Sequence, residues 1–204
     1  MLGSLRGSVE RRIGILGGSF DPIHIGHLIL AESALEAFEL EMVYFMPCAD
    51  QPLKQGGASA SGEMRKHMIL AAIEGQPRFG LLEIELERGG VSYTVDSLAE
   101  IRTKFPGQVP YFLIGADKVE ELPQWKNITH VATLCRFGVF PRPGVEISTS
   151  ELPEATELVF APYARRIEIS SSEIRHRVAE GLRIRYLVPV EVEMIIAERH
   201  LYGA

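Results

Sequence analysis

The chain has 204 residues, of which 46% are hydrophobic and 24% charged, a composition typical of a folded protein rather than a disordered one. Its formal net charge of −6 argues against non-specific binding of nucleic acid or of an anionic membrane surface. Two cysteines are too few for a disulfide-dense secreted scaffold, and no apolar run approaches the roughly 18 residues of a membrane span. We therefore expect a cytoplasmic protein without nucleic-acid or membrane partners, and we leave a homo-oligomer open.

Strand and helix signals alternate behind a short, frayed lead-in over residues 1–11. Apolar runs that end at glycine or proline predict buried strands, and apolar residues at helical spacing predict amphipathic helices. In chain order we predict strand 12–16, helix 25–40, strand 42–46, helix 62–74, strand 79–87, helix 94–104, strand 111–114, helix 128–134, strands 137–140, 158–160 and 167–169, and helices 170–181 and 189–199. The strand at 79–87 is predicted from alternating apolar and acidic residues. Ser61 is the predicted cap of the helix at 62–74.

This alternation predicts an α/β fold, namely a Rossmann-like parallel sheet with helices on both faces and a small C-terminal helical appendage. We expect one domain over residues 12–204. Ligands of such sheets bind beyond the carboxyl ends of the strands. Chemistry is therefore expected just after Leu16, Met46, Ile114 and Ile169.

The first of these places, residues 17–27, reads Gly-Gly-Ser-Phe-Asp-Pro-Ile-His-Ile-Gly-His. The two glycines allow a tight turn close to a ligand, and a helix start near His24 attracts phosphate through its free N–H groups and its dipole. His24 and His27 are three residues apart and share a helical face, while Gly26 leaves room between them. Two imidazoles beside a helix start can stabilise charge on phosphate oxygens. The segment therefore predicts a phosphate site.

Other interpretations of this segment are weaker. It lacks the Gly-Lys-Ser/Thr of a P-loop and the spacing of a dinucleotide-binding glycine fingerprint. A zinc site would need a third ligand, and the remaining histidines and cysteines form no recognisable ligand pair, so no metal site is predicted. A purely structural histidine pair is the remaining alternative. The arrival of the glycines, the proline and both histidines in one connection favours the phosphate site.

The second place, residues 169–175, reads Ile-Ser-Ser-Ser-Glu-Ile-Arg. Serines between a strand and a helix are typical helix caps, which satisfy the first N–H groups of the helix. Ser172 could instead bind a phosphate, with Arg175 one turn further into the helix. Both interpretations stay open at this point.

Together these two segments resemble the nucleotidyltransferase superfamily whose signature is His-x-Gly-His. Two further segments are similar to those of the bacterial nicotinate-nucleotide adenylyltransferases: residues 92–98, Ser-Tyr-Thr-Val-Asp-Ser-Leu, and residues 113–117, Leu-Ile-Gly-Ala-Asp, followed by Trp125. The resemblance covers about residues 12–202. One departure is Leu53, which stands where many members of the family have a histidine before the lysine that matches Lys54.

The resemblance implies transfer of AMP from ATP to nicotinate mononucleotide, which yields nicotinate adenine dinucleotide and pyrophosphate in NAD synthesis. Mg²⁺ is then expected to accompany ATP rather than to occupy a dedicated protein site. Since the mononucleotide phosphate itself attacks the α-phosphorus, no protein nucleophile is required. Positioning two polyanions and stabilising their charge become the main tasks of the protein.

The resemblance also implies roles for individual residues. The residues assigned to ATP are Gly17, Gly18, Ser19, Phe20, His24, His27, Gly115, Asp117, Ile169, Ser171, Ser172 and Arg175; those assigned to the acceptor are Ser19, Phe20, Lys54, Tyr93, Thr94 and Trp125; the catalytic set is His24, His27, Lys54 and Arg175. Asp117 would accept ribose hydroxyls, Trp125 would stack on the pyridine, and backbone N–H groups near Thr94 would face its carboxylate. Thr94 as a helix cap and Trp125 as a partly buried anchor are the alternatives.

Related activities give competing hypotheses. Phosphopantetheine adenylyltransferases share the first and last motifs, but they typically have threonine in place of the first histidine and lack the Ser-Tyr-Thr segment. Class I aminoacyl-tRNA synthetases share His-Ile-Gly-His, but they need a Lys-Met-Ser-Lys-Ser-type loop and a much longer chain. A non-catalytic nucleotide-binding module is a third alternative, against which stand both histidines, Lys54, Ser172 and Arg175. The choice between nicotinate and nicotinamide mononucleotide stays open.

Overall fold

The computed structural model describes residues 10–49, 58–142, 144–145, 147–163, 165 and 167–203. The strands are β1 (Arg11–Gly18), β2 (Met42–Pro47), β3 (Phe79–Leu81), β4 (Gln108–Gly115), β5 (Arg136–Phe140) and β6 (Leu158–Phe160). The helices are α1 (Ile25–Ala37), α2 (Gly62–Ile73), α3 (Ile84–Arg88), α4 (Thr94–Lys104), α5 (Ile128–Leu134), α6 (Ser171–Ala179) and α7 (Val190–Glu198). Two 3₁₀ segments, Ala116–Gln124 and Leu201–Gly203, complete the described elements.

All of these strands run parallel in one sheet, in the order β3-β2-β1-β4-β5-β6. Ile15 of β1 lies between Tyr44 of β2 and Phe112 of β4. The chain winds outward from β1 in one direction and from β4 in the other. The junction between β1 and β4 is therefore the topological switch point, where an open parallel sheet forms its ligand crevice at the carboxyl ends of the strands.

Helices cover both faces of the sheet, which confirms the predicted α/β fold. Side chains along each strand alternate between two hydrophobic clusters, so Leu113 belongs to one cluster and its neighbours Phe112 and Ile114 to the other. The C-terminal helices, predicted as a small appendage, pack their Ile174 and Val192 into the same cluster as α1 and α2. No helix within the described ranges is long and apolar enough to cross a membrane.

The predicted strand over residues 79–87 is wrong in its second half. Only Phe79–Leu81 pairs with the sheet, and Ile84–Arg88 forms the short helix α3. Helix-forming Glu and Leu occupy this stretch, and Gly89 ends the helix with a φ of 67°, a conformation that costs glycine little. Over five residues, an alternating pattern cannot be distinguished from a helical turn that buries Ile84 and Glu85 side by side.

The predicted strand at residues 167–169 is also wrong. These residues are in irregular backbone that leads into α6. Ile167 instead contributes to the lining of a cavity beyond the carboxyl edge of the sheet. Its apolar side chain therefore reflects a contact with α1 and the cavity rather than a place in the sheet. By contrast, the predicted cap of α2 is confirmed, because the hydroxyl of Ser61 accepts the N–H of Met64 at 3.2 Å.

Candidate active site

The two histidines of the first predicted segment form a stacked pair at the start of α1. His24 is the N-cap residue with extended backbone, and its N–H donates to Nδ1 of His27 at 3.2 Å. The two ring centroids are 3.6 Å apart. Because Nδ1 of His27 accepts this hydrogen bond, the proton of the neutral imidazole lies on Nε2, which makes Nε2 a donor.

Burial keeps both imidazoles neutral near pH 7. Desolvation lowers the pKa of His24 to about 4, and burial together with the neighbouring His24 holds the pKa of His27 well below its usual value. Nδ1 of His24 is buried and has no hydrogen-bond partner within the described residues. A Cβ on Gly26 would lie only 3.0 Å from this nitrogen, so a larger residue would press on the ring. A buried, unpartnered polar atom at a helix start fits a site that takes a polar ligand.

The second predicted segment meets the first in the folded chain. The hydroxyl of Ser171 donates to the carbonyl of Pro22 at 2.9 Å, and Nη1 of Arg175 donates to the carbonyl of Asp21 at 2.7 Å. Nη2 of Arg175 lies 3.3 Å from the hydroxyl of Ser172, which is exposed. Ser170 caps α6 by accepting the N–H of Glu173 at 3.1 Å. The starts of α1 and α6 thus lie together, with a histidine pair on one and an arginine on the other.

Asp21 holds this arrangement together, although the sequence reasoning gave it no role. Its carboxylate is 3% exposed and accepts the N–H groups of Ser59 at 2.6 Å and Ala60 at 3.0 Å. It also accepts the hydroxyl of Tyr202 at 2.8 Å. A buried carboxylate must find partners, so an aspartate inside a turn flanked by apolar residues was the available signal.

The turn between Gly18 and α1 places Ser19 and Phe20. The carbonyl of Ser19 accepts Nη1 of Arg65 at 2.7 Å, and Arg65 is 2% exposed. Phe20 has a φ of 47° and a buried ring that packs edge-on against His27, with centroids 4.9 Å apart. The side chain of Phe20 therefore belongs to the core, and it packs against the ring of His27 from the core side. Gly17, at the end of β1, has a ring carbon of Phe112 within 3.2 Å of where a Cβ would lie.

A cavity of about 780 Å³ lies beyond the ends of β4 and β5. Of the predicted residues, Gly115, Asp117 and Ile169 line it, and Gly26 closes it on the side of α1. Arg142 also lines it and approaches Asp117 with 3.1 Å between Nε and Oδ1. That contact lacks hydrogen-bond geometry, so Oδ1 of Asp117 is buried without a hydrogen bond within the described residues. A carboxylate oxygen at a cavity wall that is paired with a cation but accepts no hydrogen bond can accept a ligand hydroxyl.

Arg142 was missed because the strand-end rule was not applied to β5. Arg142 comes two residues after Phe140, where β5 ends at the same edge of the sheet as β1 and β4. It lies in the connection 141–156, whose prolines are typical of a loop or a lid-like insertion. A cation directly after a buried parallel strand was the signal that could have identified it.

Three of the predicted acceptor residues, Tyr93, Thr94 and Trp125, lie on the face of the sheet opposite to Phe20. Tyr93 is the N-cap of α4 but makes no capping hydrogen bond, so Thr94 begins a helix with no side-chain cap. Nζ of Lys126 lies 4.0 Å from the centroid of the Tyr93 ring. Trp125 is half-buried and packs edge-on against Phe112, with centroids 5.5 Å apart. An uncapped helix start and a partly exposed indole are groups that can bind an anionic aromatic ring.

A buried polar network connects this region to the end of β2. The hydroxyl of Ser92 accepts the N–H of Ala49 at 3.1 Å and lies near Glu85, where it favours the charged form of that carboxyl. The hydroxyl of Ser97 donates to Glu85 at 2.6 Å, and Nη2 of Arg88 donates to the same hydroxyl at 2.7 Å. Burial raises the pKa of Glu85. The network holds the segment before α4 against the carboxyl edge of the sheet.

Two predictions remain, namely the role of Lys54 and the absence of a metal site. Lys54 and the substituted position Leu53 lie outside the described residues. Within the described ranges, no group of three or more His, Cys, Asp or Glu side chains is arranged to hold a metal ion.

Comparisons with known proteins agree with this geometry. The Cytidylyltransferase-like family matches residues 15–177. A probable nicotinate-nucleotide adenylyltransferase of Shouchella clausii is 42% identical over 193 residues, which are 95% of this chain and 97% of that protein. Another, of Geobacillus thermodenitrificans, is 44% identical over 193 residues, which are 95% of this chain and 87% of that protein. A Plasmodium falciparum nicotinic acid mononucleotide adenylyltransferase, solved in complex with NaAD, has the same fold, with a TM-score of 0.74 at 23% identity over 95% of this chain and 98% of that one. The chain belongs to the nicotinate-nucleotide adenylyltransferase family of nucleotidyltransferases.

Proposed function

We propose that this enzyme transfers AMP from ATP to nicotinate mononucleotide, with nicotinate adenine dinucleotide and pyrophosphate as products, in NAD biosynthesis. The observation that carries the proposal is the meeting of the starts of α1 and α6 at the switch point of the sheet, where Arg175 binds the turn that precedes the pair of His24 and His27. We propose that residues 12–204 act as one domain in this reaction and that the reaction takes place in the cytoplasm.

The chemistry asks for binding and charge stabilisation. A phosphate oxygen of the mononucleotide forms a bond to the α-phosphorus of ATP, and the bond to the bridging oxygen breaks as pyrophosphate leaves with its electron pair. The reacting groups all belong to the two substrates. The protein must therefore hold two polyanions in line and offer donors where negative charge grows on the leaving group.

The histidine pair is suited to donation in a neutral state. Nε2 of His27 carries its proton because Nδ1 is occupied by the backbone N–H of His24. Both pKa values are lowered by burial, so neither ring repels the cations that accompany ATP. In the proposal these donors contact the phosphates, while Arg175 and Ser172 hold the β/γ end and Lys54 adds a further cation.

Mg²⁺ belongs to the proposal as a companion of ATP. It would be held by the triphosphate oxygens and water, as is usual for this cation with nucleotides. In that arrangement the protein needs donors around the metal–nucleotide complex rather than a cage of carboxylates.

The adenosine is proposed to occupy the cavity beyond β4 and β5. Oδ1 of Asp117 would accept a ribose hydroxyl, and Gly115 keeps the space open, because a Cβ there would lie 2.5 Å from that same oxygen. Ile169 and Gly26 supply apolar walls. A cavity of about 780 Å³ is of the size that binds cofactor-sized ligands.

The acceptor is proposed to bind at the start of α4. The uncapped N–H groups near Thr94 favour a carboxylate through hydrogen bonding and the helix dipole. Nicotinate carries that carboxylate and nicotinamide does not, so this helix start supports nicotinate mononucleotide as the preferred substrate. Trp125 would stack on the pyridine ring, with Tyr93 beside it.

Pyrophosphate release tests the proposal directly. The enzyme is incubated with ATP and Mg²⁺ and with one of three acceptors: nicotinate mononucleotide, nicotinamide mononucleotide or phosphopantetheine. The expected result is the highest kcat/KM with nicotinate mononucleotide, with a dinucleotide product identified by mass. Preference for either other acceptor would contradict the substrate assignment, and ATP binding without pyrophosphate release from any acceptor would indicate a non-catalytic nucleotide-binding protein.

A further inference from the structure

Tyr202 joins the last turn of the chain to the first predicted segment. Its hydroxyl donates to Oδ1 of Asp21 at 2.8 Å, across 181 residues of sequence. Tyr202 has a φ of 61°, in the left-handed region that non-glycine residues seldom adopt, so the terminal turn is held in an unfavourable conformation. Burial and the adjacent Asp21 raise the pKa of Tyr202, so the hydroxyl stays protonated and able to donate.

We propose that Tyr202 is a positioning residue of the ATP phosphate site, acting through Asp21 on the turn before α1 and on Arg175. This inference rests on the proposed function, since it assigns Arg175 to the phosphates.

The carboxylate of Asp21 competes with the phosphates for Arg175. Nη1 of Arg175 donates to the backbone carbonyl of Asp21 at 2.7 Å, while Oδ2 of the same residue lies 3.8 Å away. Oδ2 accepts the N–H of Ser59, and Oδ1 accepts both the N–H of Ala60 and the hydroxyl of Tyr202. Because both oxygens of the Asp21 carboxylate already accept hydrogen bonds, the guanidinium of Arg175 binds the backbone carbonyl of Asp21 instead. Nη2 of Arg175 then stays beside Ser172 at the start of α6. Loss of the Tyr202 hydroxyl would strengthen the pull of the carboxylate on Arg175.

The turn before α1 depends on the same carboxylate. The carbonyl of Asp21 is held by Arg175, and the carbonyl of the next residue, Pro22, by Ser171. His24 follows two residues later and caps α1. A shift of the Asp21 carboxylate would therefore move the backbone that precedes the histidine pair. Tyr202 thus acts on both sides of the phosphate site through one oxygen atom.

Tyr202→Phe tests this role because it removes the hydroxyl and keeps the ring, which packs against the cluster under α6 and α7. Tyr163→Phe is the matched control. Its hydroxyl also donates to a carboxylate, Glu36, at 3.0 Å, but Tyr163 is 50% exposed and lies away from Asp21. We expect Tyr202→Phe to lower kcat/KM for ATP about tenfold, the order of one lost hydrogen bond to a charged group, and to leave KM for nicotinate mononucleotide unchanged. Tyr163→Phe should match the wild type in both.

A purely structural role predicts a different result. It would lower the thermal midpoint and the active fraction, and so reduce the apparent kcat, while both KM values stayed at the wild-type level. Calorimetric titration with the analogue α,β-methylene-ATP reports the folded fraction as the binding stoichiometry and the site geometry as Kd. A weaker Kd at full stoichiometry for Tyr202→Phe supports the inference, and a Kd equal to that of Tyr163→Phe overturns it.

Failure of the proposed function would be recognised separately. If the wild type released no pyrophosphate with nicotinate mononucleotide, the substrate assignment would be wrong, whereas the comparison of Kd values for the ATP analogue would still decide the role of Tyr202.

Discussion

Two buried carboxylates, Asp21 and Glu85, organise opposite sides of the sheet in different ways. Asp21 is 3% exposed and Glu85 is 5% exposed. Asp21 accepts two backbone N–H groups and a tyrosine hydroxyl, with the guanidinium of Arg175 within 4 Å. Glu85 accepts the hydroxyl of Ser97, and the guanidinium of Arg88 donates to Ser97 rather than to Glu85. We call the side of the sheet with Asp21 and Arg175 the phosphate side, and the side with Glu85 and Thr94 the acceptor side. A charged guanidinium approaches the buried carboxylate on the phosphate side, whereas a neutral hydroxyl contacts it on the acceptor side.

This difference matches the ligands that each side is proposed to bind. A triphosphate brings several negative charges, so the side that meets it needs donors and cations whose positions are fixed by the backbone. A pyridine ring with one carboxylate needs an aromatic face and a helix start. Substitutions on the phosphate side should therefore change the kinetics of ATP, and substitutions on the acceptor side those of the mononucleotide.

The largest expected effect comes from His27→Ala, on the phosphate side. Alanine favours the helix but removes the acceptor of the His24 N–H, so only a small loss of stability is expected at the start of α1. Loss of the Nε2 donor should lower kcat by about 10²- to 10³-fold, as for removal of one donor to a developing oxyanion. Steady-state kinetics with a thermal melt checks this. A folded variant with near-normal kcat would remove His27 from the catalytic set.

The free energy of unfolding should change with pH in opposite directions for the buried groups of the two sides, His24 on the phosphate side and Glu85 on the acceptor side. His24 has a pKa lowered to about 4, so below pH 6.5 the unfolded chain binds a proton that the native chain does not. Its contribution is complete above pH 6.5 and should fall by roughly 2 kcal/mol on going from pH 7 to pH 5. Urea unfolding at both pH values measures it, with His24→Asn as the variant, since asparagine also caps helices. If the free energy of unfolding changed equally with pH in the wild type and in His24→Asn, the buried, neutral state of His24 would be contradicted.

A smaller effect is expected for Trp125→Ala, on the acceptor side. Loss of the stacking surface should raise KM for nicotinate mononucleotide about tenfold and leave KM for ATP unchanged, since base–aromatic stacking is worth about 1–3 kcal/mol. Trp125→Phe keeps an aromatic face and should recover most of the affinity. If both variants changed the two KM values equally, Trp125 would be a core anchor, consistent with its packing on Phe112.

The smallest effect is expected for Glu85→Gln. Burial raises the pKa of Glu85, so the native chain holds its proton more tightly than the unfolded chain. Its stabilising contribution is present below the usual carboxyl pKa and is lost as the pH rises through the raised value, opposite in sign to His24. Glutamine retains an oxygen that can accept the Ser97 hydroxyl. Urea unfolding from pH 4.5 upward should show a flatter profile for the variant, and an unchanged profile would mean that Glu85 is not protonated in this range.

The sequence was sufficient for the sheet, because buried parallel strands are continuous apolar runs that end at glycine or proline, as β1 and β2 do. It was insufficient for α3, where five residues satisfy both periods, and for Ile167, whose apolar side chain serves the cavity. The histidine pair could be predicted because both members lie in one connection. The Asp21–Tyr202 hydrogen bond could not, because nothing local to either residue indicates a partner 181 residues away.

A competition assay tests the central claim most directly. The wild-type enzyme is given ATP, Mg²⁺ and equal concentrations of nicotinate and nicotinamide mononucleotide, and the two dinucleotides are separated and quantified. The uncapped start of α4 predicts that nicotinate adenine dinucleotide is the main product, with one pyrophosphate released for each molecule formed. A predominance of the nicotinamide product, or pyrophosphate release without either dinucleotide, would contradict the account.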